Sequence, residues 1–257
     1  AEEFNNSSTF KGYPTVNNNK GVNGSWNFIG REDWMNENTL TWKKKINRYN
    51  SIDVLGGVTM QGTNTTRYGF NSINLPYEEL GMSGLDDGTP YSTTALLSNN
   101  RLLSFLGRVN YNYAEKYLVS ASLRREGSSR FGTNNKWGWF PAVSLGWRIT
   151  GEDFMQGKDW CNDLKLRAGF GVTGNDLGSD LRSVAMLSNG GTFWYNGAYV
   201  YTYGVSQNVN PDLRWEKKFE YNLGLDFAFL NERLYGSLDL YYRQTRDLLW
   251  DYEVPTP

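Results

Sequence analysis

Residues 164–176, LKLRAGFGVTGND, are where the fold is decided. Gly169, Gly171 and Gly174 match G-x-G-x-x-G, the phosphate-cradling fingerprint of dinucleotide-binding folds. That fingerprint needs a near-continuous apolar strand before the glycines and a helix opening at them. Neither is present. Leu164, Leu166, Ala168, Phe170 and Val172 alternate with Lys165, Arg167, Gly169 and Gly171, so the strand has one apolar and one polar face. The segment that follows, NDLGSDLRSVAML (175–187), carries Gly178 where a helix would have to run. The glycines therefore read as small residues that let a strand bend or another segment approach.

The same period of two recurs along the chain. In FEYNLGLDFAF (219–229), Phe219, Tyr221, Leu223, Leu225, Phe227 and Phe229 oppose Glu220, Asn222, Gly224, Asp226 and Ala228. YLVSASLRR (117–125) and VSLGWRI (143–149) repeat it, as do 101–113, 233–243 and, less regularly, 38–46 and 50–61. This gives about eight strands, several near ten residues, where soluble sheets favour about 5–6. A tilted strand crossing a bilayer needs about 9–11.

The connections alternate in length. Residues 47–49, 114–116 and 229–232 are short; 63–100, 127–137 and 174–213 are long; 150–161 is intermediate and suits a helical turn. Short turns on one side and long loops on the other mark outer-membrane barrels. Composition agrees. Aromatics make up 16% of the 257 residues, yet the mean hydropathy is −0.60. A lipid-facing apolar stripe opposite a polar one reconciles the two. No apolar run is long enough for a transmembrane helix. The fold class expected is all-β, a transmembrane antiparallel barrel.

Other chemistries lose ground on the same inventory. A net charge of −1 argues against nucleic acid as a partner. With one cysteine, Cys161, and no histidine, internal disulfides, cysteine zinc sites and histidine-based triads are excluded. Asp86–Asp87 and Asp176 with Asp180 lack the spacing of a calcium loop. No metal and no cofactor are expected, and no enzymatic activity.

Two sets of residues are candidates for function. Arg108, Arg124, Arg148, Arg167, Glu220, Asp226, Asp239 and Arg243 fall opposite the apolar stripes, on a face that would line a lumen. They read either as a hydrated, charge-paired wall or as contacts to a plug or a polar solute. Phe193, Trp194, Tyr195, Tyr199, Tyr201 and Tyr203 crowd the loop TFWYNGAYVYTYG (192–204). They suit contact with substrate or a protein partner, and equally a hairpin extending above the membrane. Tyr111, Tyr113, Tyr117, Trp160, Phe227 and Phe229 near the short turns, and Trp139, Phe140, Trp215, Phe219, Tyr241 and Tyr242 near the long loops, suggest two interfacial girdles.

The series YLVSASLRREGSSRFGTNNKWGWFPAVSLGWRITGEDFM, WCNDLKLRAGFGVTGN and NPDLRWEKKFEYNLGLDFAFLNERLYGSLDLYYRQTRDLL closely resembles the SusC/RagA family of TonB-dependent outer-membrane transporters of Bacteroidetes. The likeness covers roughly 30–257. It implies a 22-stranded plugged barrel, of which 1–257 would be an internal part lacking signal peptide, TonB box and plug. It implies outer-membrane localisation, with 63–100 and 174–213 as extracellular loops. The partners implied are outer-membrane lipids, TonB with ExbB and ExbD, acting through the missing N-terminal region, and a SusD-like surface lipoprotein as a lid. A dimer of transporter–lipoprotein pairs and a glycan oligosaccharide substrate are implied as well. A RagA-like importer of oligopeptides is the alternative within the family. From another class, a soluble β-rich glycan-binding module also fits the aromatic loop.

Overall fold

A computed structural model of the chain describes residues 2–12, 20–176 and 182–250. They form eleven strands: β1 (Glu2–Lys11), β2 (Asn23–Lys45), β3 (Asn50–Ile73), β4 (Thr89–Tyr113), β5 (Tyr117–Ser128), β6 (Trp137–Arg148), β7 (Cys161–Asn175), β8 (Met186–Tyr195), β9 (Ala198–Gln207), β10 (Glu216–Phe229) and β11 (Leu234–Arg246). The pairings β1–β2, β4–β5, β5–β6, β6–β7, β7–β10, β10–β11 and β8–β9 are antiparallel. Nine strands are hydrogen-bonded in the order β1-β2-β3-β4-β5-β6-β7-β10-β11, and β8 pairs only with β9. The all-β expectation holds. The eight strands expected become nine in the sheet because Glu2–Lys11, which shows no clean alternation, still pairs with β2.

The chain divides into two units. Unit 1 comprises 1–35 and 61–101, and unit 2 comprises 36–60 and 102–257. Strands β2, β3 and β4, at 23, 24 and 25 residues, run through both. Much of 63–100 is therefore strand; the connection itself is 74–88, with a 3-10 turn at Glu78–Gly84.

In unit 1, Glu2↔Glu32 through Lys11↔Asn23 set the β1–β2 register. Phe4, Phe28 and Tyr68 stack across three strands at 6.1 and 6.5 Å between ring centroids. Asp33 accepts from Arg31 Nε at 2.8 Å and from Thr63 Oγ1 at 2.5 Å.

In unit 2 the registers align the apolar residues of six strands on one face. One row runs Val109↔Ala121↔Val143↔Phe170↔Tyr221↔Tyr242. Another runs Tyr111↔Val119↔Leu145↔Ala168↔Leu223↔Leu240. A one-residue slip anywhere would send a whole set to the other side, so burial of this face fixes register. Yet within the chain it is open: Leu145, Leu223 and Leu240 are 52%, 48% and 62% exposed. Soluble monomers rarely expose contiguous apolar surface beyond a few hundred Å².

The turns explain themselves locally. Ala114 and Glu115 both take positive φ, and Asn112 Oδ1 accepts the Glu115 N–H at 2.9 Å. Asn47 Oδ1 likewise accepts the N–H groups of Tyr49 and Asn50. The intermediate connection holds short 3-10 turns at Ile149–Gly151 and Asp153–Met155, in line with the helical turn expected from its length.

Candidate functional site

The polar face of unit 2 is organised around Arg167. Its row reads Gly146↔Arg167↔Gly224↔Asp239. Arg167 donates from Nε and Nη2 to the two oxygens of Asp226, both at 2.8 Å. Nη2 also reaches Asp239 Oδ1 at 3.1 Å, across β10. Gly224 leaves the path clear: a Cβ there would lie 2.6 Å from Asp239 Oδ1 and 2.7 Å from Arg167 Cζ.

Five of the predicted polar residues belong to this cluster and its neighbour. Arg243 Nε donates to Glu220 Oε2 at 2.8 Å. Arg124 Nε donates to Ser104 Oγ at 2.6 Å, and Nη2 to Glu126 Oε1 at 3.0 Å. Arg148 stands 3.7 Å from Asp163 and 3.8 Å from Glu115, a looser pairing. Arg108 is exposed and has no partner among the described residues. These pairs are water-facing, so they add little to stability and mainly fix side-chain direction. A hollow of about 740 Å³ on this face is bordered by Lys43, Asp53, Asn110, Ser144, Lys165 and Asn222. The arrangement is a hydrogen-bonding wall suited to a polar solute or a polar protein surface.

At the long-loop end lies a small core that the sequence pattern missed. Phe131, Phe140, Val172 and Trp215 are buried together. The Phe131 and Trp215 rings are 4.6 Å apart, and Phe140 meets Trp215 edge-on at 5.4 Å. Trp215 Nε1 donates to the Lys136 carbonyl at 3.0 Å. Phe140 and Trp215 thus leave the expected girdle, because Phe140 faces the polar side in register with Arg124. Trp139, on the apolar side, stays 51% exposed. Two connections close over this core. Gly132 N–H donates to the Leu213 carbonyl at 3.0 Å, and Asn134 Nδ2 to Asp212 Oδ1 at 3.1 Å. Arg130 pairs with Asp176 at 2.8 Å. Asp180 lies outside the described residues.

This core also answers for Gly174. A Cβ there would stand 2.3 Å from Phe140 Cζ and 3.0 Å from Trp215 Cε3, so the ring lies directly over bare backbone. Gly169 and Gly171 have room, with nearest atoms at 3.9 and 3.6 Å. The three glycines do not form one phosphate loop; they sit within a strand.

The aromatic loop is a hairpin. Asn196 and Gly197, with φ of 48° and 83°, make the tight turn between β8 and β9. Phe193, Trp194, Tyr195, Tyr199, Tyr201 and Tyr203 are 60, 56, 67, 71, 67 and 67% exposed. Register divides them. Trp194↔Tyr199 share a face with Tyr201 and Tyr203, while Phe193 and Tyr195 point the other way. Trp194 meets Tyr199 edge-on at 4.7 Å. From Ser183 to Asn210 the chain holds no charged residue.

At the short-turn end, Glu152 Oε1 accepts from the Tyr117 hydroxyl at 2.6 Å and from Trp147 Nε1 at 2.9 Å. Lys116 Nζ stands 3.4 Å from Oε2. The Tyr117 and Trp147 hydrogen bonds hold the Glu152 carboxyl below the usual carboxylate range, against a smaller effect of burial.

The family model for the TonB dependent receptor-like β-barrel matches residues 2–256. A TonB-dependent receptor of Formosa agariphila is 36% identical over 250 residues, 96% of this chain and 24% of its own length. The TonB-dependent receptor SusC of Bacteroides thetaiotaomicron is 39% identical over 165 residues, 63% of this chain and 16% of its own. A solved structure of the RagAB peptide transporter superposes with a TM-score of 0.82 at 26% identity, over 99% of this chain and 28% of that one. The chain spans about a quarter of the length of the Formosa relative.

Proposed function

The chain belongs to the TonB-dependent receptor β-barrel family, and from that premise we propose that it is part of the barrel wall of a nutrient importer in the bacterial outer membrane. The observation that carries the reading is the open apolar face of unit 2. Six strands align their aliphatic and aromatic side chains on it, and about half the surface of Leu145, Leu223 and Leu240 is uncovered. Lipid is the cover that such a face requires. The Arg167, Arg243 and Arg124 pairs then line the lumen. The long-loop end faces outward, and the β8–β9 hairpin stands on that side as an arm.

In this reading the whole receptor imports oligosaccharides, energised through TonB, with a SusD-like lipoprotein over the long loops and pairs assembling as dimers. The hairpin supports a neutral glycan: four aromatic rings share one face and no charge lies within it. Oligopeptide import is the second reading, favoured by the likeness to the RagAB peptide transporter. The test is uptake by cells carrying the full-length receptor, offered labelled neutral oligosaccharides and labelled oligopeptides. Trp194→Ala with Tyr201→Ala is expected to reduce capture of the oligosaccharide or docking of the lipoprotein while the barrel stays folded. Unchanged uptake and unchanged complex in that variant would remove the arm from the mechanism. Uptake of peptides alone would replace the first reading by the second.

A further inference from the structure

The apolar face of unit 2 carries three cations at its long-loop end. Arg125 stands in the row Phe105↔Arg125↔Trp139, on the same side as Leu123 and Val143. Its guanidinium lies 4.7 Å from the Trp137 ring centroid and 5.1 Å from that of Trp139. Lys217 and Arg246 pair with each other on β10 and β11, two residues beyond Phe219 and its partner Gln244. The Arg246 guanidinium lies 4.9 Å from the Phe219 ring centroid and donates to Gln244 Oε1 at 3.1 Å. None of the three is ion-paired to a carboxylate among the described residues. The neighbouring Glu126 and Glu216 fall on the opposite face by alternation.

Most arginines of the polar face are placed differently. On the polar face Arg124, Arg148, Arg167 and Arg243 each meet a carboxylate. On the apolar face the arginines meet only rings and one amide. A lipid-facing Arg or Lys costs about 2–4 kcal/mol at the bilayer midplane and close to nothing at its edge. These positions therefore belong at the headgroup level, where tryptophan also concentrates. Ring stacking orients a guanidinium and leaves its forked donors free. That fork matches phosphate oxygens, which it can engage two at a time.

We propose that Arg125, Lys217 and Arg246 bind phosphate-bearing lipid headgroups of the leaflet at the long-loop end, with Trp137, Trp139 and Phe219 holding the guanidiniums in place. The proposal rests on the reading of this face as lipid-facing. The occupant is lipid rather than free phosphate because the cations emerge from an apolar surface that acyl chains would cover.

The experiment uses the full-length receptor in nanodiscs of an uncharged, phosphate-free galactolipid doped with a phosphorylated glycolipid, or with the same lipid after its phosphate is removed. Bound lipid is counted by native mass spectrometry. The phosphorylated lipid is expected to be retained preferentially, and inorganic phosphate is expected not to displace it. Arg125→Gln with Arg246→Gln, which keeps every ring, is expected to lower that retention on the order of 25-fold, at roughly fivefold per cation. Arg108→Gln, on the polar face, is expected to leave it unchanged. Equal retention of the two lipids, or full retention by the double variant, would overturn the proposal while the barrel reading stands. A receptor that does not enter the discs at all would overturn the barrel reading itself.

Discussion

Arg167 reaches Asp239 at 3.1 Å over a strand that offers no side chain at the crossing point, Gly224. The bridge spans three strands in one register row, with Asp226 taking the other donors. Adding a methyl at Gly224 moves the ends of the Arg167 and Asp239 side chains and no backbone. Gly224→Ala is therefore expected to sever Arg167 from Asp239, keep Asp226, and cost at most about 1 kcal/mol. Gly107→Ala, with nothing within 4 Å of its added Cβ, is the comparison. Equal thermal stability in detergent for both variants, with Asp239→Asn also silent, would leave the Arg167–Asp239 contact without weight.

Gly174 behaves differently, because the obstacle above it is a buried ring. Gly174→Ala forces Phe140 against Trp215, in a core with both residues under 8% exposed. The expected loss is about 1–3 kcal/mol, the range for overpacking. Gly169→Ala meets nothing closer than 3.9 Å and is expected to be near neutral. Melting of the two variants side by side decides it. A greater loss at Gly169 would mean the glycine motif has some other purpose.

Phe131→Ala addresses the same core from the loop side. Phe131 is 2% exposed and stacks on Trp215. Its removal is expected to cost about 3–5 kcal/mol and to free the connections 129–136 and 208–215, read as faster proteolysis there. Unaltered cleavage would show that Gly132–Leu213 and Arg130–Asp176 suffice to hold them.

Leu223→Arg places a charge in the centre of the apolar face, in register between Ala168 and Leu240. Insertion into bilayers is expected to weaken by about 2–4 kcal/mol. Asn222→Arg, one residue away on the polar face, is expected to be tolerated. Matching refolding yields into vesicles would contradict this assignment of faces.

Glu152 gives a pH dependence. Hydrogen bonds from Tyr117 and Trp147 lower its folded pKa. A lowered acid stabilises the fold above its unfolded pKa of about 4.3, and that contribution fades as pH falls through the folded value. Glu152→Gln is expected to melt earlier than the parent at neutral pH and to converge with it in acid. A gap that is constant with pH would assign the loss to packing alone.

Strand identity and the two faces were legible in alternation alone, because a period of two is a local property of each strand. Leu164–Val172 and Phe219–Phe229 carry it without help from any partner. Loop length was read less well, since the expected loop 63–100 is mostly strand around a connection at 74–88. Glu2–Lys11 was not legible, since an irregular polar stretch becomes a strand only when an edge such as β2 supplies its hydrogen bonds. Nor was the hairpin division of the six loop aromatics, which the Asn196–Gly197 turn sets by pairing Trp194 with Tyr199.

By itself the sequence determined that this chain makes long two-faced strands, because side-chain alternation follows from backbone geometry. Only the tertiary structure decided which residues meet. Phe140 sits under Trp215 and above Gly174, Arg167 crosses Gly224 to Asp239, and Arg125 lies against two tryptophans. Each pairing depends on register between strands far apart in the chain, which no local pattern encodes.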